Sequence, residues 1–321
     1  MQVELFGAIK LDFNAGYESD LIFQCLRIRM IEEKIIELYP SDLIQSPVHL
    51  SIGQEAVAVG FCDQLIESDW VFINYRGHAF YIARGGDLRA FFAELMGRRT
   101  GISKGKAGSM HLAEPSKGVI GASAVVASTI SHAVGAAVAA KIKGEKGQVF
   151  VANFGDGATE QGVFHESLNF ASLHNVPVVF LCEDNKLAVH TGSNIRQSYA
   201  MKPLVEAYGI KYVEMSEGYD PKKVSEMAAK VIGYARTECR PVFFKVETCR
   251  YREHVGPNED FDAGYRSRQS LEEWKSRDPI HAKRVQLKKY EVTIKTEIED
   301  AVNFALASPF PTEEDLLSDV I

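Results

Sequence analysis

The sequence predicts an α/β fold in which a mainly parallel sheet is flanked by helices. Short apolar runs rich in valine and phenylalanine alternate with helix-period segments; VFVANF (149–154), PVVFLCE (177–183) and PVFFKVE (241–247) are the clearest. The stretch 149–191 reads strand, glycine turn, helix, strand, polar turn. That is a βαβ unit, so both strand ends fall on the same edge of a parallel sheet. No internal repeat or low-complexity tract interrupts the alternation. The expected organisation is one domain over residues 1–321, with an N-terminal helix and a C-terminal helical extension added to it.

Taken in order, residues 17–38 form an amphipathic helix. Leu21, Ile22, Cys25, Leu26, Ile28, Ile31, Ile35 and Leu38 recur near the helical period, and Arg27, Arg29, Glu32, Glu33 and Lys34 supply the polar face. The stripe is wide enough to suggest cover by another chain. Pro40 ends the helix. His49 then stands in a loop shortly before Gly53, ahead of a helix over 54–65. Residues 69–73 are a strand candidate ending at Asn74-Tyr75-Arg76-Gly77. An arginine just past a strand end, beside glycine, is well placed for a phosphate. A helix starts near Asp87 and includes 91–96.

Residues 97–111 hold four glycines and four basic residues. This is a flexible surface loop or a wrap around a phosphorylated ligand, and spacing leaves both open. It is not a P-loop, because no GxxxxGK[ST] run is present. Residues 118–122 read as a glycine-spaced turn. An Ala/Gly-rich helix over 131–143 permits close approach by a neighbouring helix or a subunit. Beyond the βαβ unit come a loop (192–200), a short helix (201–208) and a strand (211–215). Asp220 caps a helix that has Pro221 at its first position. The loop after the strand at 241–247 is long and charged and contains His254. Helices near 271–277 and 290–308 flank a break at Asp278-Pro279.

The 321 residues carry 43 acidic and 36 basic side chains, a net charge of −7, which argues against a broad nucleic-acid surface. No apolar run reaches membrane-spanning length. The N-terminal segment has no basic region before an apolar core, so no signal peptide is expected. The five cysteines form no CxxC pair, and a cytoplasmic location with reduced thiols is expected.

Within the βαβ unit, Asp156 and Asn185 are expected to face each other across a crevice outside the strand ends, where α/β sheets bind ligands. Asp156 offers a carboxylate oxygen, Asn185 an amide oxygen, and a turn carbonyl near Leu187 a third oxygen. Such a set suits magnesium, which takes its remaining ligands from water and phosphate. Gly155 and Gly157 let backbone approach closely, and the following helix start would offer N–H groups to an anion. Gly-Asp-Gly alone is no more than a turn. With Asn185 in register it suggests a magnesium–diphosphate site. A dinucleotide-binding reading lacks the GxGxxG fingerprint.

Several segments together then resemble the alpha subunit of the thiamine-diphosphate-dependent 2-oxo acid dehydrogenases (pyruvate, branched-chain and acetoin types). They are PVHLSIGQEAVAVG, NYRGHAF, GKAGSMHL, GVIGA, GDGATEQGVFHESLNFA, EDN and YREHVG, in that order, from about residue 21 to residue 279. The resemblance implies a three-layer thiamine-diphosphate-binding fold, with thiamine diphosphate and Mg²⁺ as cofactors. It implies that Asp156, Asn185 and the Leu187 carbonyl hold the metal. Gly157, Ala158, Tyr75, Arg76 and His254 would contact the diphosphate, and Gly118 and Ile120 the aminopyrimidine. His49 would line the active site and, with His254, serve catalysis.

As partner it implies a beta subunit that carries the pyrimidine-side domain and the activating glutamate, in an alpha2-beta2 heterotetramer. A lipoyl-bearing acyltransferase would accept the acyl group from a small 2-oxo acid. The chain departs from the family pattern at three places. It has Asp184-Asn185 for Asn-Asn, Arg252-Glu253-His254 for His-Gly-His, and Val255 where some relatives carry a regulatory serine. Glu253 is expected to change loop shape and charge near the cofactor. The departure from His-Gly-His motivates an alternative reading as a carboligase or acyl-transferring biosynthetic enzyme. A non-catalytic scaffold subunit is a third reading.

Overall fold

The computed structural model describes residues 17–318. The N-terminal residues on which the signal-peptide expectation rests lie almost wholly outside that range. Helix α1 (Tyr17–Leu38) leads through the His49 segment to α2 (Glu55–Cys62). Strand β1 (Trp70–Asn74) follows, then α3 (His78–Ala83) and α4 (Leu88–Leu95). Next come β2 (Val119–Ser123), α5 (Ser128–Lys143), β3 (Phe150–Gly155), α6 (Gly162–His174) and β4 (Val178–Asp184). A small hairpin, β5 (Leu187–Ala188) and β6 (Thr191–Gly192), precedes the short helices α7 (Ser193–Arg196) and α8 (Met201–Ala207). Strand β7 (Lys211–Met215), helix α9 (Pro221–Glu238) and strand β8 (Val242–Glu247) complete the sheet. The C-terminal extension is α10 (Arg268–Lys275), α11 (Pro279–Ala282), α12 (Arg284–Ala307) and α13 (Glu313–Leu317).

Among the described residues, six strands form one all-parallel sheet in the order β2-β1-β3-β4-β8-β7. Side chains alternate across it with the two-residue period of a strand. Val71, Ile73, Val151, Val179, Leu181, Val242, Phe244 and Val246 join the core beneath α1, α2, α9 and α12. Phe72, Phe150, Ala152, Phe154, Phe180 and Phe243 face the opposite core, beneath α5, α6 and α8. The result is the expected three-layer α/β arrangement. Phe154, Phe164 and Phe243 meet edge to face about their shared centre, at 5.9–6.0 Å between rings. Truncating any one to alanine would cost about 3–5 kcal/mol.

The structure corrects four local expectations. Residues 118–122 are not a turn: Val119–Ser123 is the edge strand β2, in register Val71↔Val119 and Asn74↔Ser123. The segment 192–200 contains β6 and α7. Helix α3 follows Gly77 directly, in a segment given no structure from sequence. The apolar stripe of α1 is buried within this chain, and so is much of the supposed polar face: Arg27, Arg29 and Glu32 are all buried. Arg27 pairs with Glu297 on α12, and Arg29 with Glu55 and Asp278. Glu32 accepts from Ser51 N–H at 2.8 Å and lies 3.1 Å from His78 Nδ1. These partners are distant in sequence, so periodicity could not reveal them.

The Gly/basic segment 97–111 is wrapped around a carboxylate. Glu94 is wholly buried at the end of α4. Its Oε2 accepts from the N–H groups of Ser103 (2.8 Å) and Gly105 (3.0 Å), and its Oε1 from those of Ala107 (2.6 Å) and Gly108 (3.1 Å). The cations point to the C-terminal segment: Arg98 stacks on Phe310, Arg99 pairs with Asp315, and Lys106 Nζ donates to the carbonyls of Asp315 and Ser318. Among the described residues no disulfide forms, and no helix is long and apolar enough to cross a membrane.

Candidate active site

From β1 the chain steps outward to β2, then returns past β1 to β3. Strands β1 and β3 are therefore the neighbours whose connections diverge, and a crevice opens outside their carboxyl ends. It encloses about 220 Å³. Asn74-Tyr75-Arg76 enter it from β1, Gly155-Asp156-Gly157-Ala158 from β3, Asn185 and Leu187 from beyond β4, and His254 from the loop after β8.

At one end lies Asp156, buried, with its Oδ2 2.5 Å from Arg196 Nη2. Arg196 also grips Glu160, and its Nε donates to the Thr191 carbonyl at 2.9 Å. Burial, and then the nearby Asp184, push the Asp156 carboxyl up to about 6, against the opposing pull of Arg196. The guanidinium thus supplies at this carboxylate the positive charge that a metal would bring. Asn185 Oδ1 accepts the Leu187 N–H at 3.0 Å, which fixes the turn between them. A Cβ at Gly157 would lie 2.9 Å from the Ala188 Cβ, so glycine is what lets the β5–β6 hairpin close over this turn. One expectation fails locally. A short 3₁₀ turn over Asp156–Glu160 separates Asp156 from α6, and α6 begins outside the crevice lining.

At the other end three rings meet. His49 lies 4.5 Å from Tyr75 and 5.1 Å from His254, centroid to centroid, and Tyr75 lies 5.7 Å from His254. Buried Arg76 donates from Nη1 to the Leu50 carbonyl (2.9 Å) and from Nη2 to the His254 carbonyl (3.1 Å). It thereby ties the His49 segment to the His254 loop, and the Gly256 N–H donates to the Val48 carbonyl as a second tie. Burial, with Arg76 adding to it, lowers His49 to about 3 and His254 to about 4. Both values place the rings in the neutral form at physiological pH. The buried Nδ1 of His49 has no protein hydrogen-bond partner.

The floor was not foreseen. Asn74 Nδ2 donates to Asn153 Oδ1 (2.8 Å), Asn153 Nδ2 to Glu183 Oε2 (2.8 Å), and Gln54 Nε2 to Glu183 Oε1 (3.1 Å). This relay links β1, β3, β4 and the residue ahead of α2 beneath the crevice. Burial raises Glu183 to about 7. The available signal was a polar side chain inside each of two buried strands, which requires a partner. Arg196 offered no comparable signal, since it sits in a short polar segment without periodicity.

Two expected residues are not brought together with the rest. Gly118 precedes β2, at the end away from the crevice, and its carbonyl accepts from Val71 N–H at 2.7 Å. Its φ of +72° and the Asp69 carbonyl, 2.5 Å from where a Cβ would stand, account for glycine there. Ile120 packs against the α5-side core, and neither residue lines the crevice. The family departures also stay out of it. Asp184 Oδ2 pairs with Lys245 at 3.2 Å, and its Oδ1 accepts from Lys186 N–H. Glu253 Oε1 accepts from Asn258 N–H at 2.9 Å, and the Glu253 N–H donates to the Asn258 carbonyl. The glutamate closes its own loop, and its carboxylate is not part of the lining.

Fold and crevice together define an α/β protein with its ligand site at the switch point of a parallel sheet. Residues 24–313 match the family described as dehydrogenase E1 component, and the chain belongs to that family. It is 36% identical over 305 residues to the alpha subunit of acetoin:2,6-dichlorophenolindophenol oxidoreductase of Bacillus subtilis (strain 168), covering 92% of this chain and 90% of that one. It is 35% identical over 311 residues to the pyruvate dehydrogenase E1 component subunit alpha of Rickettsia bellii, covering 92% and 93%. With the corresponding subunit of Rickettsia prowazekii it shares 34% over 331 residues, covering 99% and 98%. The family expected from the ordered motifs is thereby borne out.

Proposed function

We infer that this chain is the alpha subunit of a 2-oxo acid dehydrogenase E1 component, active together with a beta subunit. We propose further that its crevice holds thiamine diphosphate and Mg²⁺. The observation that carries the reading is the meeting of Asp156, Asn185 and Leu187 with Tyr75, Arg76 and His254 in one crevice at the switch point. The residues fit such a group on two counts. Asp156 brings a buried carboxylate to the crevice, and Gly157 keeps the turn clear of side-chain bulk. Among the described residues no cluster of three or more His, Cys, Asp or Glu is arranged for a metal. A magnesium ion here would therefore rely on the Asn185 amide, the Leu187 carbonyl and phosphate oxygens beside Asp156, a combination that suits Mg²⁺.

Bound thiamine diphosphate supplies an electron sink that allows a 2-oxo acid to lose carbon dioxide. The chain's own residues bind and orient. Arg76 and the backbone at Gly157 and Ala158 offer charge and N–H groups to the diphosphate, while Tyr75 and His254 wall it. His49 packs behind Tyr75 and His254, outside the lining, with a buried Nδ1 that has no protein partner, so its part is to hold those two rings in place. Neutral imidazoles serve as acceptors until an anion nearby raises their basicity. Gly118 and Ile120, outside the lining, are given no part.

The proposed assembly is an alpha2-beta2 heterotetramer whose beta chains supply the pyrimidine-side domain and the activating glutamate. A lipoyl-bearing acyltransferase is the proposed acceptor. The Glu253 carboxylate does not line the crevice, so its charge lends the carboligase reading no support. The test is reconstitution of alpha and beta chains with thiamine diphosphate and Mg²⁺ against a panel of 2-oxo acids. Decarboxylation with reductive acylation of lipoamide is expected, and its absence for every acid would refute the proposal.

A further inference from the structure

The β5–β6 hairpin carries strain that its own sequence does not relieve. Its two loop residues are Val189 and His190, and Val189 has φ +54°. A β-branched residue in the left-handed region is an outlier, because its Cβ crowds the following carbonyl. A two-residue hairpin loop asks for a positive φ at its first position, and the 47%-exposed Val189 side chain gains little packing to offset the strain. Its carbonyl accepts a 2.8 Å hydrogen bond from Arg250 Nη2.

Arg250 is 1% exposed, and both of its Nη atoms are engaged on the far side of the gap as well, while its buried Nε has no protein partner. Its Nη1 donates to Asp260 Oδ2 (2.8 Å) and to the Arg252 carbonyl (2.7 Å), and Nη2 reaches the Tyr265 hydroxyl at 3.0 Å. Asp260 is gripped in addition by Arg266 and by the Tyr265 hydroxyl. Arg266 donates to the carbonyls of Arg250 (2.6 Å) and Arg252 (2.9 Å). A second contact crosses the same gap, with the His190 ring 4.7 Å from that of Tyr265. The cluster fastens the loop that presents His254, while the hairpin presents Leu187 and Val189. One buried guanidinium therefore bridges the hairpin, whose Val189 lines the crevice, to the base of the loop that carries His254.

We infer that Arg250 is a positioning residue that locks hairpin and loop into one unit by holding Val189 in its strained conformation. The mechanical part needs no cofactor; only its consequence for ligand affinity rests on the proposed function.

The test is hydrogen exchange of the full chain, read by mass spectrometry. In Arg250→Lys the charge beside Asp260 is kept, but the planar fork that reaches Val189 is lost. Exchange at 187–192 and at 250–260 is expected to quicken together, by about tenfold, the size of one lost hydrogen bond to a buried charged group. Peptides from β3 and β4 should be unaffected. Adding Val189→Gly removes the strain, so protection should return at 187–192 but not at 250–260. Quickening confined to 250–260, or no return with glycine, overturns the inference. Should Arg250→Lys not fold, Val189→Gly alone decides. Slower hairpin exchange supports the strain, and equal or faster exchange refutes it. Calorimetry with thiamine diphosphate and Mg²⁺ on the reconstituted complex adds a separate readout, with about tenfold weaker binding expected in Arg250→Lys. Failure of the parent complex to bind would refute the functional proposal and leave the exchange result standing.

Discussion

Replacing Glu94 by glutamine tests whether a single carboxylate shapes the 97–111 segment. Each carboxylate oxygen accepts two backbone N–H groups at 2.6–3.1 Å, and the side chain is wholly buried. The amide keeps one oxygen and turns an NH₂ toward the other two donors. Two charge-assisted hydrogen bonds are lost, at about 1.5–3 kcal/mol each, so destabilisation of about 3–6 kcal/mol is expected. Unfolding entropy of about 2.1 cal/mol/K per residue gives roughly 1.5 °C per kcal/mol for this chain length, hence a midpoint lower by about 5–9 °C. Amide exchange at Ser103, Gly105, Ala107 and Gly108 should quicken in the same variant. The disturbance should spread to the His49 segment, because Ser109 N–H donates to Ser46 Oγ at 3.1 Å. A midpoint within about 1 °C of the parent, with those four amides still protected, would refute the argument.

Other outcomes follow from the crevice. Asp156→Asn should abolish saturable Mg²⁺–thiamine diphosphate binding in calorimetry. Because the folded chain raises Asp156 from 3.8 to about 6, its favourable contribution is complete below pH 3.8 and is lost as pH rises through 6. The asparagine variant should therefore gain stability relative to the parent as pH rises from 4 to 8 in denaturant titrations. His49 and His254 run the other way: both are depressed below 6.5, so their contribution is present above pH 6.5 and is lost as pH falls toward 4 and then 3. Nitrogen-15 spectra of the imidazoles should show neither ring titrating between pH 5.5 and 8. Ala127 has φ +67° at the N-cap of α5. Ala127→Gly should leave stability within about 1 kcal/mol of the parent in urea unfolding, because strain relief is offset by added chain entropy and by loss of the buried Ala127 methyl.

The βαβ unit around Asp156 was legible because each of its features is local. Two apolar runs, a glycine turn and a terminal asparagine lie within forty or so residues, and parallel geometry does the rest. Strand β2 was not, because Gly118 and Gly121 mimic a turn, and only pairing with β1 draws the segment straight. The ionic partners of α1 were hidden for a different reason. Arg27 meets Glu297 and Arg29 meets Asp278 across the whole chain, and no period in sequence encodes such a meeting. Glu94 fails in the same way from the other side. Its helix looks ordinary, and the segment it organises looks flexible, until the four N–H groups are found converging on it. Within the site, Asp156, Asn185, Tyr75 and Arg76 could be read because each follows a strand. Arg196, Asn153 and Glu183 matter through what they touch.

The charges of the crevice give its two ends a common logic. Arg76 is tied to the carbonyls of Leu50 and His254, so its cation is fixed beside the ring cluster whatever the ligand state. That fixed charge, added to burial, keeps both imidazoles neutral. It is also the charge that an arriving diphosphate would meet. An anion there would cancel part of the repulsion and raise both rings toward their ordinary value. Histidine basicity would then be coupled to occupancy in direction, although burial, the larger cause of the depression, would stay. At the opposite end, the pairing of Asp156 with Arg196 means that the proposed divalent ion would enter a carboxylate already neutralised. Its net gain would be the difference between two cations, so Arg196 would temper metal affinity in a way that the carboxylate alone would not.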